Sequence, residues 1–584
     1  MKHTLILLLL NIMMISCGCN SESNPAPSVK GNFESCHVEN GVLLSEDGKE
    51  ISLWGLNFQT PISWEANRLA KAGIPKNKES LKKVADRNLE DAELMNAHVL
   101  RCHLTPGDFT DNNGNLIENM YLDALDYLVS EAPKRGMRLI FAFLNDMGQK
   151  GPGTDWTGKG AETWVHDINV VGCTRRYISQ LVRRVNPYNG KVYGNNPDIA
   201  YWELINEPRA YSYPEIKNTA YYKDFKKWIS SNGKPDNETT YAVYRENLIK
   251  EYIDGTINVL RENNDCHSVC WSLNWHRYRT GNTDIFRGAA SSKADSVSFC
   301  NYPGQDLVSQ DYWNNRYDFT QTDFSVWFNK YLQKTDGYGW AKTESFKTKC
   351  KAVYEFETFF NQSAYLYPVQ ALYFKALDAQ TASMWTYTFA EIAEKFGGSH
   401  FLNIRCTPGK AASFIVAGKI FENTGRDYKF TAAPEMSGST WRISKSADLA
   451  IYSDGKSWCS SSDVPEDWTS PAPSGNETYV AGCGNSPLVK YSGSGLYIIK
   501  EVDGELVIHL MPNIKVTGDR FVGSDCKSIV TELDYENSNN LSILLNNWKS
   551  RKCSIYTSTG EAIADIDGTK DMTLKPGKYI IKTL

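Results

Sequence analysis

The chain has 584 residues, too many for one ordinary hydrophobic core, so two or more domains are expected. Its 41% hydrophobic and 22% charged residues are those of a soluble globular protein, and a net charge of −5 leaves no basic footprint for nucleic acid. Aromatic residues make up 12%, with 16 Trp and 32 Tyr, a level that suits sugar sites and ordinary cores alike.

In chain order, Lys2 and His3 precede an apolar run over residues 5–15 that is too short to span a bilayer and has the layout of a signal peptide. The run ends at Met14-Ile15-Ser16-Cys17, which resembles a bacterial lipobox, cleaved before a cysteine that then carries lipid. Residues 1–16 are thus expected to be a signal peptide, Cys17 the lipidated residue and 17–35 a flexible tether. The chain would then be held by its lipid in the bacterial cell envelope, on either side of the periplasm. An ordinary secretory signal is the alternative. The remaining cysteines are scattered without a CxxC pair or Cys/His cluster, so nothing supports a zinc site. Export permits disulfides. Cys459 with Cys483 and Cys526 with Cys553 are candidate pairs, and buried free thiols serve equally well.

From 36 to 408 short apolar strands alternate with longer helical segments. A hairpin turning at Asp47-Gly48 runs into a first strand ending near Asn57. Further strands are predicted at 97–104, 137–146, 199–208, 268–275, 296–303, 350–358 and 381–388, with an amphipathic helix over 118–136. Eight strand–helix units in series predict an α/β fold, a closed (β/α)8 TIM barrel. An open doubly wound sheet would carry a Gly-rich phosphate loop after its first strand, and none is present. From 409 the texture changes. A closing helix over 409–422 is followed by short alternating strands with Gly, Ser and Asp turns, among them the hairpin "EVDGEL" at 501–506. Residues 409–584 therefore read as a helix plus an all-β, sandwich-like domain.

In such a barrel, reacting groups sit at the C-terminal ends of strands. The fourth strand ends in Asn206-Glu207-Pro208, and proline stops a strand by removing an amide donor. Strand alternation puts Tyr201, Glu203, Ile205 and Glu207 on one face, with Glu207 at the mouth and Glu203 deeper, where it needs a partner. Glycoside hydrolysis requires a second carboxylate. The seventh strand offers Glu355 and Glu357, which share a face if the strand runs on.

"NNPDIAYWELINEP" together with "AVYEFET" resembles clan A of the glycoside hydrolases, most closely family 5 with its mannanase-like and glucanase-like members. "DGKEISLWGLNF", "AHVLRCH", "CNYP" and "MWTY" support the resemblance across residues 40–400. It implies that Glu207 is the acid/base and Glu355 the nucleophile, and that Asn206 contacts the sugar 2-hydroxyl. It further implies that Arg101 and Tyr302 contact the nucleophile and that Trp385 forms the platform beneath the reacting sugar. Arg101 would favour an ionised Glu355, while desolvation and a nearby anion would keep Glu207 protonated. Retention, implied by the clan, would place the two carboxyls about 5–5.5 Å apart. Arg101 paired instead with Glu203, and Glu357 in place of Glu355, are the alternatives.

Two positions depart from the family pattern. Cys300-Asn301-Tyr302 stands where His-x-Tyr is usual on the sixth strand, and Asn145-Asp146 where the third strand often ends in histidine. These point to a divergent subfamily or a neighbouring clan A family. Trp156, Trp164, Trp275 and His276 fall on strand-end loops and are candidate sugar contacts. The expected activity is retaining hydrolysis of a β-linked glycan, β-mannan or β-glucan first, with no metal or organic cofactor and a carbohydrate as partner. Rivals are an exo-acting β-galactosidase or β-mannosidase, and an inactive surface glycan-binding protein.

Overall fold

The computed structural model describes residues 33–59, 63–145, 153–274, 279, 281–303, 323–332, 334, 337–357, 362–396, 400–518 and 528–584. The signal peptide, Cys17, Trp275, His276, Asp146 and Cys526 lie outside the described residues. An N-terminal hairpin, β1 (Cys36–Glu39) and β2 (Val42–Ser45), leads into the first barrel strand. Eight strands then close a parallel barrel: β3 (Leu53–Asn57), β4 (Val99–His103), β5 (Arg138–Ala142), β6 (Ile199–Glu203), β7 (Ser268–Ser272), β8 (Ser296–Asn301), β9 (Cys350–Phe356) and β10 (Ala379–Met384). The predicted barrel is therefore the observed one, strand for strand. Every residue of these strands is buried, as expected for a parallel sheet covered on both faces.

The outer layer includes α1 (Lys78–Leu94), α2 (Met120–Glu131), α3 (Ile168–Arg183), α4 (Glu238–Glu262), α5 (Thr283–Ser291) and α6 (Leu366–Ala376). Their starts follow local chemistry. Asn77, Asn119, Asp167 and Asn237 each cap a helix by accepting backbone N–H groups of its first turn. The segment predicted as one helix over 118–136 is α2 followed by a short 3-10 turn at Pro133–Arg135, because proline ends the regular ladder.

The hairpin β1–β2 closes the barrel floor. The Cys36 thiol donates to Ala200 O (3.3 Å), Val38 N–H donates to Ser268 Oγ (2.9 Å), and Gln380 bonds both N–H and C=O of Leu43. Inside, Leu53, Val99, Ile140, Tyr201, Cys270 and Ala352 form an apolar layer against Cys36 and Leu43. Above it, at the mouth, lie the buried polar side chains Arg101, Glu203 and Glu355.

The strand ends differ from their predicted course. β6 stops at Glu203, not at Pro208, and Leu204 and Ile205 both turn into the outer core. The predicted shared face of Tyr201, Glu203, Ile205 and Glu207 thus breaks after Glu203. Trp156 and Trp164 are likewise core residues, 3% and 2% exposed, and not free sugar platforms.

Helix α7 (Pro408–Asn423) follows the barrel and is buried on almost every side. Its Phe414 and Phe421 pack on Trp54 of β3, at ring distances of 5.5 and 5.4 Å. A Cβ on Gly418 would lie 2.9 Å from the Trp54 ring, so only glycine allows this approach. The opposite side of α7 meets a ten-stranded sheet formed between Glu435 and Thr583, and one apolar cluster runs from the barrel through α7 to Trp441, Ile443, Tyr452 and Ile498. The sheet's other face holds a separate core with a three-stranded sheet. The predicted hairpin is there: Tyr497–Val502 pairs with Glu505–Leu510 across Asp503-Gly504, both with positive φ.

Of the two alternatives for Cys459 and Cys483 the structure shows free buried thiols and no disulfide. Register explains why. Cys459 pairs with Ala481, leaving Cys483 two residues further along, a diagonal of about 7–8 Å that a disulfide does not span. The Cys553 thiol donates to Arg551 O instead.

Lys410 in the first turn of α7 forms a buried ion pair with Glu357, 2.9 Å away. Lys410→Met removes the cation and leaves the carboxylate in the core. We expect a loss of about 3–5 kcal/mol in urea unfolding, which Lys410→Met combined with Glu357→Leu substantially recovers.

Candidate active site

The mouth of the barrel is organised around Arg101. It lies on β4, where alternation turns Val99, Arg101 and His103 inward and Leu100 and Cys102 outward. The guanidinium is 1% exposed. Its Nε and Nη2 donate to the two oxygens of Glu203 (3.1 and 2.7 Å), and Nη2 also donates to Asn206 Oδ1 (2.8 Å). Its Nη1 donates to Asn57 Oδ1 (2.8 Å) and Glu355 Oε1 (3.2 Å). Both expected pairings of Arg101 are therefore made at once.

Glu355 reaches this place through an irregularity in β9. In register with β8, Val353 faces Phe299 and Glu355 faces Cys300, so Tyr354 is an extra residue. Such a bulge turns Tyr354 and Glu355 to the interior together, and Val353 and Phe356 to the outer core. Glu355 and Glu357 would share a face only if the strand ran on, and it ends at Phe356. Glu357 lies beyond the strand and bonds Lys410 and Tyr367 outside the barrel. The carboxylate at the mouth is Glu355.

Tyr302, just after β8, donates its hydroxyl to Glu355 Oε2 (2.8 Å). The neighbouring Tyr354 donates to Glu207 Oε1 (3.2 Å). Burial raises both phenols, and each is raised further by the other's carboxylate. Glu207 is directed inward by its backbone, with φ +47°, and not by strand alternation. Asn206 donates from Nδ2 to Asn145 Oδ1 (3.1 Å) and from its backbone to Leu144 O (2.7 Å). The asparagine at the end of the third barrel strand thus orients Asn206. Trp385 follows β10 and closes the pocket with Cys300, Tyr302 and Tyr354.

Burial pushes Glu355 above its ordinary range, while Arg101 and the Tyr302 hydroxyl pull it down. Glu203 behaves alike, raised by burial and opposed by Arg101. Burial and Arg101 together hold His103 well below the usual imidazole range, and burial lowers His400, 5.0 Å from Tyr302, to about 3.

The structure brings together Arg101, Asn206, Glu207, Tyr302, Glu355 and Trp385. Sequence reasoning missed Asn57, His103 and Tyr354. His103 was accessible, one strand period beyond Arg101. Tyr354 was not, because it faces inward only through the bulge.

Glu207 and Glu355, held by two tyrosines beside Arg101 at the mouth of a closed parallel barrel, define a (β/α)8 protein with two carboxylates at its candidate site. Residues 154–238 match a family described as GH family 5 beta-mannosidase-like. The chain is 39% identical over 99 residues to a putative mannan endo-1,4-beta-mannosidase 5 of Oryza sativa subsp. japonica, covering 16% of this chain and 20% of that one. It is 33% identical over 99 residues to mannan endo-1,4-beta-mannosidase 2 of Arabidopsis thaliana, covering 15% and 23%. The match thus spans about a fifth of these curated relatives' length. An endo-1,4-beta-mannanase structure from Rhizomucor miehei aligns with 67% of this chain and 100% of that chain, at 14% identity and a TM-score of 0.46. The chain resembles family 5 of the clan A glycoside hydrolases, as its motifs imply.

Arg101→Met leaves Glu203 buried without its guanidinium, and we expect a loss of about 3–5 kcal/mol in denaturant unfolding. Adding Glu203→Leu restores much of that stability. It does not restore the cation beside Glu355, so any function that needs Arg101 stays lost.

Proposed function

We propose that the chain is a retaining β-glycoside hydrolase acting on β-mannan. The observation that carries this reading is the pair of phenols that hold Glu207 and Glu355 around one pocket. The choice of mannan rests on the family match over residues 154–238, which contain Glu207, and on the relatives named mannan endo-1,4-beta-mannosidases.

Glu355 attacks the anomeric carbon, forming a carbon–oxygen bond as the glycosidic bond breaks. Glu207 gives its proton to the departing oxygen. Water then attacks the glycosyl–Glu355 ester. Glu207 takes the water's proton, and Glu355 leaves as a carboxylate. Arg101 and Tyr302 stabilise that carboxylate, and Trp385 supplies an apolar face for the sugar ring. Asn206 is the residue that meets the 2-hydroxyl.

Hydrolysis of a panel of β-mannan, β-glucan, xylan and β-galactan, with product sizing and proton NMR of the first anomer formed, tests this reading. Mannan cleaved first, with the β-anomer appearing before mutarotation, is expected. The α-anomer would overturn retention. Glu355→Gln and Glu207→Gln should each lower kcat/KM by roughly a thousandfold or more, as losing a reacting group does. Glu357→Gln should mainly lower stability. Wild type and both Gln variants binding glycan alike, with none cleaving it, would instead mean a sugar-binding protein.

We also propose export and lipid attachment at Cys17, supported by the apolar run and the cysteine that follows it. Arg138 at the start of β5 donates to Glu34 O (2.9 Å), so the chain enters the barrel at its floor. An anchored molecule would hold its mouth on the side away from the tether. In the native host, Cys17→Ser should move the protein from the membrane fraction to the soluble fraction.

A further inference from the structure

His103 is a buried histidine that the mechanism above does not use. It is 3% exposed and touches three groups of the site at once. Its Nε2 lies 2.8 Å from Arg101 Nη1 and 3.3 Å from Glu355 Oε1, and its ring stacks on Trp385 at 4.9 Å and 28°. Arginine has no acceptor, so at 2.8 Å the imidazole nitrogen must be the acceptor. Nε2 therefore carries a lone pair and the ring's proton sits on Nδ1. That lone pair has two consequences. It shares Arg101 Nη1 with Asn57 and Glu355, which weakens the hold of Arg101 on the carboxylate. It also faces Glu355 Oε1, where it disfavours negative charge. Both act in the same direction, toward a more basic Glu355.

We propose that His103 is a positioning residue that keeps the carboxylate of Glu355 basic, by accepting from Arg101 through an unprotonated Nε2. The inference rests on the reading of Glu355 as nucleophile. The charged and titratable groups facing the imidazole are Arg101 on its own strand and Glu355 on β9, with Glu203 on β6 and Tyr302 after β8 one bond away through Arg101 and Glu355. Their balance is two carboxylates against one guanidinium. Burial and Arg101 favour the neutral imidazole, against a hydrogen bond to Asn206 that opposes them.

Two substitutions separate the acceptor from the ring. His103→Phe retains an aromatic ring to lie on Trp385 and removes the acceptor. His103→Gln loses the ring and offers an amide oxygen within reach of Arg101. With mannohexaose as substrate, His103→Phe should lower the acid limb of the kcat/KM–pH profile by about half a unit or more. It should also lower kcat/KM at the optimum several-fold. His103→Gln should return the limb toward its original position. An unmoved limb in His103→Phe overturns the proposal, and so does a His103→Gln profile that matches that of His103→Phe, since the ring alone would then matter.

A second measurement does not depend on turnover. In full-length protein labelled with 15N-histidine, the signal lost in His103→Phe should show Nδ1 protonated and Nε2 bare from pH 8 down to pH 5. A proton on Nε2 overturns the proposal even if mannohexaose is not cleaved. Absence of cleavage with a bare Nε2 would instead count against the hydrolase reading.

Discussion

The site depends on one buried cation. Arg101 stands on the barrel axis, and burying an unpaired guanidinium there would cost several kcal/mol, of order the desolvation of any buried ion. Glu203 answers most of that charge with a two-point contact, while Asn57 and Asn206 take further N–H groups without adding charge. Glu355 receives only part of what is left. This division of one cation between Glu203 and Glu355 is what the proposed role of Glu355 as nucleophile needs. A full ion pair would fix Glu355 as a weak base, and no cation at all would leave it protonated in a buried site.

Strand identity and order were legible in the sequence because parallel barrel strands are short, apolar and separated by helices with clear caps. Arg101 and Tyr302 are placed by the family resemblance, which assigns them to the second and sixth strands. The strand ends were not legible. Alternation carried past Glu203 put Ile205 and Glu207 on one face, whereas Ile205 is core and Glu207 is aimed by a loop. The inserted Tyr354 leaves no mark in composition, since "VYEFE" is a good strand with or without a bulge. Choosing between Glu355 and Glu357 therefore required both the register that turns Glu355 inward and the end of β9 at Phe356. The absent Cys459–Cys483 bond is a similar case, decided by a diagonal across two strands.

Helix α7 explains why the chain does not end with its barrel. It is apolar on nearly all sides, and a helix of that kind is stable only when covered all round. The barrel covers one side through Trp54 and α6, and the ten-stranded sheet covers the other. The Lys410–Glu357 pair fastens its first turn just beyond the strand that carries Glu355. The sheet thereby supports the strand of Glu355 at one remove, through the helix.

The left-handed backbone at Glu207 carries a further consequence. A side chain with a β-carbon at φ +47° is disfavoured by roughly 1–2 kcal/mol relative to the ordinary helical region, a cost glycine does not bear. Asn274, which accepts a hydrogen bond from the same Tyr354 hydroxyl, stands at φ +60°. The pocket is thus built on backbone that selection for stability alone would give to glycine. The rigid layers beneath it, from the plugged floor to the Arg101 network, supply the stability that lets the mouth remain strained.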